Sequence, residues 1–461
     1  MNLIATSQQK VVIGLGATGV SVVRYLLREG IVPVVLDSRC NPPGLERFRD
    51  EFPHVPLQLG PLHEDALLSA GEIIASPGVA LAEPALQRAL AEGIPVIGDI
   101  ELFAQAMNRL QQPPKIAAIT GSNGKSTVTT LLGLMAQRAG VRVAVGGNIG
   151  VPVLDLLVQP LPELFVLELS SFQLETTHTL AVTVATILNL SEDHMDRYAD
   201  MAAYHAAKQR IYRHAEQLVV NRDDVLTRAP LAQGVREWSF GLDTPDLGQF
   251  GIRRMDGEEW LAQGVEKLMP VAEMAMVGRH NAANALATLA LGHAVGLPMQ
   301  AMLEELRDFP GLTHRCERIG DVDGVVFVND SKGTNVGATR AALEGLGSTD
   351  HKIVLIAGGE GKGADFAPLA KTVGNLRGLV TIGVDGEKIA AVLEGACPVK
   401  TAESMQEAVA AAKAMAKPGD YVLLSPACAS FDMYRNFEAR GEDFRNVVAA
   451  LGASMPAGGS S

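Results

Sequence analysis

The residues with the clearest chemical signature form a short polar run after the apolar residues 115–119. It reads Thr120, Gly121, Ser122, Asn123, Gly124, Lys125, Ser126 and Thr127. A glycine turn at the start of a helix exposes backbone N–H groups to oxyanions, the lysine reaches the outer phosphates, and a hydroxyl can ligate Mg²⁺. The usual G-x-x-x-x-G-K-[ST] loop has glycine where this chain has Ile119, so the loop is a shortened variant. The run predicts ATP binding.

Two further polar segments have residue types that suit a metal ion. Glu168 ends the apolar run 165–167, and His194 lies in the acidic stretch 192–196. A carboxylate at a strand end beside a phosphate loop is placed to ligate the Mg²⁺ of a nucleotide. We therefore predict one magnesium site at Ser126 and Glu168 and a second metal position at His194. On spacing alone, Lys208 is predicted to be an ordinary surface lysine.

Amide side chains and cations follow in the second half of the chain. Asn281 and Asn284 are three residues apart in a helical pattern, so they share one face. Helix capping explains one of them, and contact with a nucleotide base or ribose would explain the pair.

Three polar loops follow apolar runs nearer the C-terminus, at residues 330–335, 358–366 and 425–432. Ligands of open α/β sheets bind beyond the carboxyl ends of the strands. The loops therefore predict a second anion site, with Arg315, Lys332 and Lys362 as its cations.

The N-terminal segment has a Gly14-x-Gly16-x-x-Gly19 turn after the apolar residues 10–13, and Asp37 ends a second apolar run. This spacing is the dinucleotide fingerprint, which by itself predicts NAD or FAD. The same strand, turn and helix can hold any diphosphate, so both interpretations stay open at this point.

Alternating apolar runs and helical patterns predict an α/β protein of three domains. The predicted limits are 1–98 for a Rossmann-like domain, 99–311 for a central phosphate-loop domain with a mostly parallel sheet, and 312–461 for a second Rossmann-like domain. A connecting helix is expected over 99–109, and a disordered tail over 452–461. Residues 235–275 are predicted to form short polar strands and turns without an assigned site.

Composition narrows the classes of function. The 461 residues carry a formal net charge of −13 and are 47% hydrophobic. This balance argues against nucleic acid or an anionic membrane as the main partner. The four cysteines are widely spaced, without a C-x-x-C pair, and no apolar run reaches membrane-spanning length. We expect a soluble cytoplasmic protein that works as a monomer.

Together these motifs resemble the Mur ligases, and among them the members that add D-glutamate. The resemblance covers nearly the whole chain. It is carried by residues 121–127, 168–175, 193–196, 314–315, 329–335 and 425–430. It implies ATP-dependent amide formation between UDP-N-acetylmuramoyl-L-alanine and D-glutamate through an acyl phosphate, with ATP and two Mg²⁺ ions.

The resemblance also implies a role for particular residues. Lys208 matches a lysine that becomes carbamylated and then ligates metal, so the implied catalytic residues are Lys125, Glu168, His194, Lys208 and Lys332, and the metal ligands are Ser126, Glu168, His194 and Lys208. ATP would contact Gly121, Ser122, Asn123, Gly124, Lys125, Ser126, Thr127, Asn281, Asn284, Arg315 and Asp330. The nucleotide-sugar substrate would contact Thr18, Asp37, Ser38, Arg39, Gly78, Asn148, Ser170, Gln173 and His194.

For D-glutamate, the resemblance implies contacts with Thr334, Lys362, Ser430, Phe431 and Phe437. Phe431 stands where the family has a smaller aliphatic residue, which predicts a modest change in pocket shape. Three alternatives remain: another Mur ligase or a folylpolyglutamate-type ligase, an NAD-dependent oxidoreductase, and a phosphate-loop motor or switch.

Overall fold

The computed structural model describes residues 9–229, 234–276, 278–347 and 351–452, which form three successive α/β units, each built on one sheet. This confirms the predicted fold class of three α/β units with mostly parallel sheets. The predicted limits of the three domains stay predictions. The tail predicted to be disordered lies outside the described residues from position 453 onward, and so do residues 1–8.

The first unit begins with the predicted glycine turn and has five parallel strands. Its strands are β1 (Lys10–Ile13), β2 (Val34–Asp37), β3 (Leu57–Leu59), β4 (Glu72–Ala75) and β5 (Val96–Ile97), and its helices are α1 (Ala17–Arg28), α2 (Leu45–Glu51), α3 (Glu64–Leu68), α4 (Pro84–Ala91) and α5 (Asp99–Asn108). The strand order is β3-β2-β1-β4-β5. Ile13 pairs with both Leu36 and Ala75, so the loops after β1, β2 and β4 meet at one sheet edge.

The second unit has a sheet of nine strands. They are β6 (Lys115–Thr120), β7 (Val143–Gly147), β8 (Leu164–Glu168), β9 (Val184–Ile187), β10 (Gln217–Asn221), β11 (Arg236–Phe240), β12 (Gln249–Met255), β13 (Glu258–Gln263) and β14 (Glu266–Pro270). Its helices are α6 (Lys125–Arg138), α7 (Ser171–Glu175), α8 (Met201–Gln209), α9 (Arg279–Val295) and α10 (Met299–Asp308), with short 3₁₀ turns at Val153–Leu156, Arg210–Tyr212, Val225–Thr227 and Val271–Glu273.

The order of this sheet, β14-β13-β12-β11-β10-β9-β6-β8-β7, puts the phosphate-loop strand β6 between β8 and β9. Ile119 pairs with Glu168, and Thr120 pairs with Ile187, so the polar residues that follow these strands meet at one edge. Residues 235–275 form the strands predicted for them. Strands β12 to β14 are antiparallel and extend the otherwise parallel sheet.

The third unit has six strands. They are β15 (Glu317–Val322), β16 (Val325–Asn329), β17 (Ile353–Gly358), β18 (Leu376–Ile382), β19 (Val399–Thr401) and β20 (Tyr421–Leu424). Its helices are α11 (Val336–Leu346), α12 (Gly386–Val392), α13 (Met405–Met415) and α14 (Phe437–Ala450), with a 3₁₀ segment at Ala367–Asn375. The order is β15-β16-β20-β17-β18-β19, and within the described part of this sheet only the pair β15–β16 is antiparallel.

Helix α5 joins the first two units, as predicted, and packs into a core that they share. The rings of Phe103 on α5 and Phe165 on β8 meet edge to face with centroids 5.1 Å apart. The same hydrophobic cluster contains Val12 of the first sheet and Ile116 of the second. Burial of this apolar surface stabilises the relative position of the two units. Among the described residues, no helix is long and apolar enough to cross a membrane.

Candidate active site

The phosphate loop has the geometry that its sequence predicted. Helix α6 begins at Lys125, and the preceding Gly124 has a left-handed φ of +82°. A Cβ atom on Gly124 would lie only 2.5 Å from Oδ1 of Asn284. The loop is held by Asn189, which accepts the N–H of Ser122 on its carbonyl at 2.9 Å and that of Asn123 on Oδ1 at 2.8 Å. The turn therefore needs glycine at position 124 both for its φ and for the approach of Asn284.

We expect the substitution Gly124→Ala to weaken ATP binding at least about tenfold, because the strained φ and the collision with Asn284 both distort the loop. Titration with ATP followed by calorimetry measures the change. Gly140, which follows α6, has a similar φ of +76° but open space around its Cβ position. Gly140→Ala should lower stability while ATP affinity stays at the wild-type value, and equal ATP affinities of all three proteins would contradict the expectation.

Cations surround the loop and face the buried carboxylate of Glu168. Lys125 donates from Nζ to the carbonyls of Gly121 at 2.8 Å and Ser122 at 2.9 Å. Arg315 of the third unit donates to Oγ of Ser126 at 2.6 Å. Burial lowers the pKa of Lys125 and of Arg315, and the charge of Glu168 opposes both shifts. The arrangement concentrates positive charge where anionic phosphates would lie.

Lys332 belongs to the same group of cations. Its pKa falls to about 8, first because of burial and then because of the neighbouring charges of Arg315 and Lys125. Its ammonium also lies over the ring of Phe437, 4.0 Å from the centroid. The structure therefore brings together Lys125, Glu168, Arg315 and Lys332, although they come from distant parts of the chain.

Glu168 fits the predicted role of a metal ligand. Its Oε1 accepts Nδ2 of Asn148 at 2.8 Å, whereas Oε2 is buried and has no hydrogen-bond partner among the described residues. A buried carboxylate oxygen without a partner is costly, and coordination of a cation would satisfy it. The described residues contain no ready-made cluster of three His, Cys, Asp or Glu side chains. A second metal position would need a further ligand of another kind.

Lys208 is not a surface residue, so the prediction made from spacing was wrong. It is 2% exposed, and its Nζ donates to the Gly121 carbonyl at 2.9 Å and approaches Oγ1 of Thr120 at 3.3 Å. The ring of Tyr204 lies beneath it, with its centroid 4.8 Å from Nζ. Burial and then the charge of Lys125 lower the pKa of Lys208 well below its usual value. Lys208 lies on the buried face of α8 with Tyr204 and Ala207. Periodicity failed here because the exposed face carries alanines, so polar and apolar residue types do not distinguish the two faces.

His194 lies in a tight turn at the same sheet edge. Its backbone has a left-handed φ of +59°, and its carbonyl accepts the N–H groups of Arg197 at 2.9 Å and Tyr198 at 3.0 Å. Burial lowers the pKa of His194, and the charge of Asp193 opposes the shift. A histidine with a lowered pKa is neutral near pH 7 and can donate a nitrogen lone pair to a metal ion.

The third unit contacts this edge through Asn335 and Lys362. Asn335 caps α11 and donates from Nδ2 to Oδ1 of Asn123 at 3.1 Å and to Oδ2 of Asp193 at 3.2 Å. Nζ of Lys362 lies 3.9 Å from Oδ1 of Asp193. Two segments of the third unit therefore contact the phosphate loop and the neighbouring His194 turn.

A cavity of about 630 Å³ opens beside the phosphate loop, between the second and third units. Of the residues predicted to bind ATP, it is lined by Asn123, Gly124, Thr127, Asn281, Asn284, Arg315 and Asp330. Asn281 and Asn284 share one face as predicted, since Nδ2 of Asn284 donates to Oδ1 of Asn281 at 3.3 Å. Burial raises the pKa of Asp330 to about 6.

The predicted nucleotide-sugar residues line another cavity, of about 660 Å³, between the first and second units. They are Thr18, Asp37, Ser38, Arg39, Gly78, Asn148 and Gln173. Asp37 accepts the backbone N–H of Leu15 at 2.7 Å, and Arg39 also contacts it. Ser170 instead caps α7, where its Oγ accepts the N–H of Gln173 at 3.2 Å.

The residues predicted to bind D-glutamate are less well assembled. His194, Thr334 and Lys362 border a narrow space of about 10 Å³, which is roughly the volume needed for one water molecule. Ser430 is buried, Phe437 packs against Lys332, and Phe431 is 69% exposed. The structure thus does not bring Phe431 into a closed pocket.

Several residues around the site were not assigned from sequence. Asn189 and Asn335 hold the phosphate loop through their amide groups, and Phe240 and Leu242 border the cavity beside it. The sequence assigned no site to residues 235–275, and the last two show that this segment borders the cavity. They reach it because β11 joins β10 in the parallel sheet, so the carboxyl end of β11 lies at the site edge. Only a strand assignment for 236–240 could have signalled this.

Comparison with protein families identifies the chain. The model of a Mur ligase MurD-like N-terminal domain matches residues 8–98, that of the Mur ligase middle domain matches 119–292, and that of the Mur ligase glutamate ligase domain matches 314–428. The chain belongs to the Mur ligase family.

Relatives of this Mur ligase match it from end to end. The UDP-N-acetylmuramoylalanine–D-glutamate ligase of Pseudomonas fluorescens is 54% identical over 453 residues, which is 98% of this chain and 100% of the relative. The ligase of the same description from Pseudomonas aeruginosa is 53% identical over equal shares. Among solved structures, the UDP-N-acetylmuramate–alanine ligase of Thermotoga maritima has a TM-score of 0.58 at 19% identity, over 96% of this chain and 99% of that one. At that identity, the last likeness concerns the fold alone.

Proposed function

We propose that this Mur ligase joins the L-alanyl carboxylate of UDP-N-acetylmuramoyl-L-alanine to the amine of D-glutamate and consumes ATP. Identity of 52–54% over the full length to relatives described as UDP-N-acetylmuramoylalanine–D-glutamate ligases supports these substrates. One observation supports this chemistry above all: four charged side chains lie close together between the two large cavities. They are Lys125, Glu168, Arg315 and Lys332. A γ-phosphoryl group and an acceptor carboxylate are both anions and need such a group of cations to approach one another.

Energy from ATP is needed because a carboxylate would have to lose oxide to form an amide. Transfer of the γ-phosphoryl group to one carboxylate oxygen breaks the bond to ADP and forms an acyl phosphate. The neutral amine of D-glutamate then attacks the carbonyl carbon, and the tetrahedral adduct releases inorganic phosphate and a proton. The products are ADP, phosphate and the amide.

Several residues around the phosphate loop have proposed roles in this reaction. Lys125 moves from the loop carbonyls to the phosphates of ATP, and Lys332 stabilises charge on the transferring group. When bound, Mg²⁺ at Ser126 and Glu168, with a second ion at His194 and carbamylated Lys208, neutralises phosphate and carboxylate charge. The buried, neutral amine of Lys208 suits reaction with CO₂, which forms an N–C bond and releases one proton.

The space between His194, Thr334 and Lys362 has a volume of about 10 Å³. D-glutamate therefore does not fit there in this arrangement. We propose that the third unit moves away from the second to admit the amino acid and then closes again. Lys362, Ser430 and Phe437 would then contact it, with Phe431 at the solvent edge. Closure would exclude water, which otherwise hydrolyses the acyl phosphate.

Phosphate release from ATP in the presence of UDP-N-acetylmuramoyl-L-alanine tests the proposal. D-glutamate should stimulate release strongly, whereas L-glutamate, L-lysine and diaminopimelate should not. Preference for another amino acid would indicate a different Mur ligase, and phosphate release that needs no amino acid would indicate a nucleotide-hydrolysing motor or switch. A change in the absorbance of an added nicotinamide cofactor would support the oxidoreductase alternative, which family membership does not favour. Sedimentation tests the proposed monomer.

A further inference from the structure

An arginine outside the predicted site connects the nucleotide-sugar cavity to the His194 turn. Arg197 of the second unit donates from Nη2 to the carbonyl of Val79 at 2.8 Å. Its Nη1 approaches the carbonyls of Pro77 at 3.3 Å and Gly78 at 3.4 Å. These three residues follow β4 in the first unit and line the 660 Å³ cavity. The guanidinium thus spans the boundary between the two units at the wall of that cavity.

The same guanidinium also packs on Phe172, whose ring contacts the His194 imidazole. Its central carbon lies 4.2 Å from the centroid of the Phe172 ring, and that ring meets the imidazole of His194 with centroids 4.8 Å apart. Phe172 precedes Gln173, which lines the nucleotide-sugar cavity. A cation over an aromatic face is attracted by the ring, so the contact restrains both partners.

Arg197 forms no ion pair with a carboxylate of the described residues. The N–H groups of its guanidinium instead donate to the carbonyls of three consecutive residues, and this pattern fixes the shape of the loop. The planar guanidinium can donate to all three and stack on Phe172 at once, which a lysine ammonium cannot do.

We propose that Arg197 is a positioning residue that holds the loop 76–79 against the His194 turn and thereby sets the affinity for the nucleotide-sugar substrate. Its loss frees one wall of that cavity, whereas the cavity beside the phosphate loop keeps its own supports from Asn189 and Asn335. The proposal rests on the function proposed above.

Steady-state kinetics on the full-length protein test the assignment, with each of the three substrates varied in turn. Arg197→Ala should raise KM for UDP-N-acetylmuramoyl-L-alanine about tenfold or more, the loss expected for a charge-assisted hydrogen bond and a cation–π contact, and leave KM for ATP unchanged. Arg197→Lys should recover little of the affinity for UDP-N-acetylmuramoyl-L-alanine, because lysine restores the charge but not the planar set of guanidinium N–H donors. Direct titration with this substrate should show the same loss in Kd.

Arg28 provides the matched control. It also crosses between the first two units and donates to backbone carbonyls, those of Leu154 at 2.9 Å and Leu157 at 3.5 Å, but it does not line the cavity. Arg28→Ala should keep the wild-type KM values. Equal losses in the two alanine variants, full affinity in Arg197→Lys, or a KM change shared by all three substrates would overturn the proposal. Failure of the wild-type enzyme to use the substrate would instead refute the proposed function.

Discussion

Replacement of Lys125 with alanine should lower the rate of ATP-dependent amide formation by about 10³-fold, which is the expected cost of losing a preorganised charge at a transferring phosphoryl group. The ammonium is partly buried and now bonds two loop carbonyls, so it is already held within the loop that would contact the phosphates. Coupled measurement of ADP or phosphate release, at saturating substrates, gives the change in kcat.

Lys115 is a suitable control because it begins strand β6, at the end remote from the phosphate loop, where its Nζ donates to the carbonyl of Val295 at 2.6 Å. Lys115→Ala should keep wild-type activity and thereby show that loss of a lysine from the strand before the loop does not itself inactivate the protein. Thermal unfolding of both variants establishes that they are folded. Activity of Lys125→Ala within a factor of about two of the control would contradict the assigned role.

Replacement of Lys208 with alanine should reduce activity by at least about 100-fold, because it removes the only source of the proposed carbamate ligand. Short carboxylic acids added to Lys208→Ala should restore part of the activity, since their carboxylate can occupy the vacated space. Burial lowers the pKa of the Lys208 amine well below its usual value, which favours the neutral form that reacts with CO₂. Phosphate release with and without added acetate measures both effects.

Lys267 offers a control of similar local geometry. Its Nζ lies 4.8 Å from the centroid of the Trp260 ring, much as Lys208 lies over Tyr204. Lys267→Ala should keep full activity and show no response to carboxylic acids. Undiminished activity of Lys208→Ala would remove the carbamate from the mechanism, and activity lost without any rescue would show that Lys208 acts only through packing.

The two cavities show which parts of a binding site can be predicted from local sequence. The glycine turn at 14–19 and the phosphate loop at 121–127 were each predicted from short-range spacing, because a strand, a tight turn and a helix start are fixed by neighbouring residues. Their ligands are harder to assign. Either turn accepts any diphosphate, so the distinction between a dinucleotide and a nucleotide sugar came from resemblance to a family.

Lys208 and Arg197 show where sequence reasoning fails. A lysine in a mixed helical pattern has no local signal of burial, and only the packing of α8 against the phosphate-loop strand makes it 2% exposed. Arg197 donates to the carbonyls of residues about 120 positions away. Every residue has a backbone carbonyl, so the amino-acid sequence does not indicate which of them will accept this bond.

By itself, the sequence determined three α/β units, the phosphate loop, the first glycine turn and the strand end at Glu168, because each depends on periodicity and turn chemistry within a few residues. Tertiary structure alone decided that Lys125, Glu168, Arg315 and Lys332 face one another, that Lys208 is buried, and that Phe431 is exposed. These features depend on how separate sheets pack, and burial and charge act through distances in space rather than along the chain.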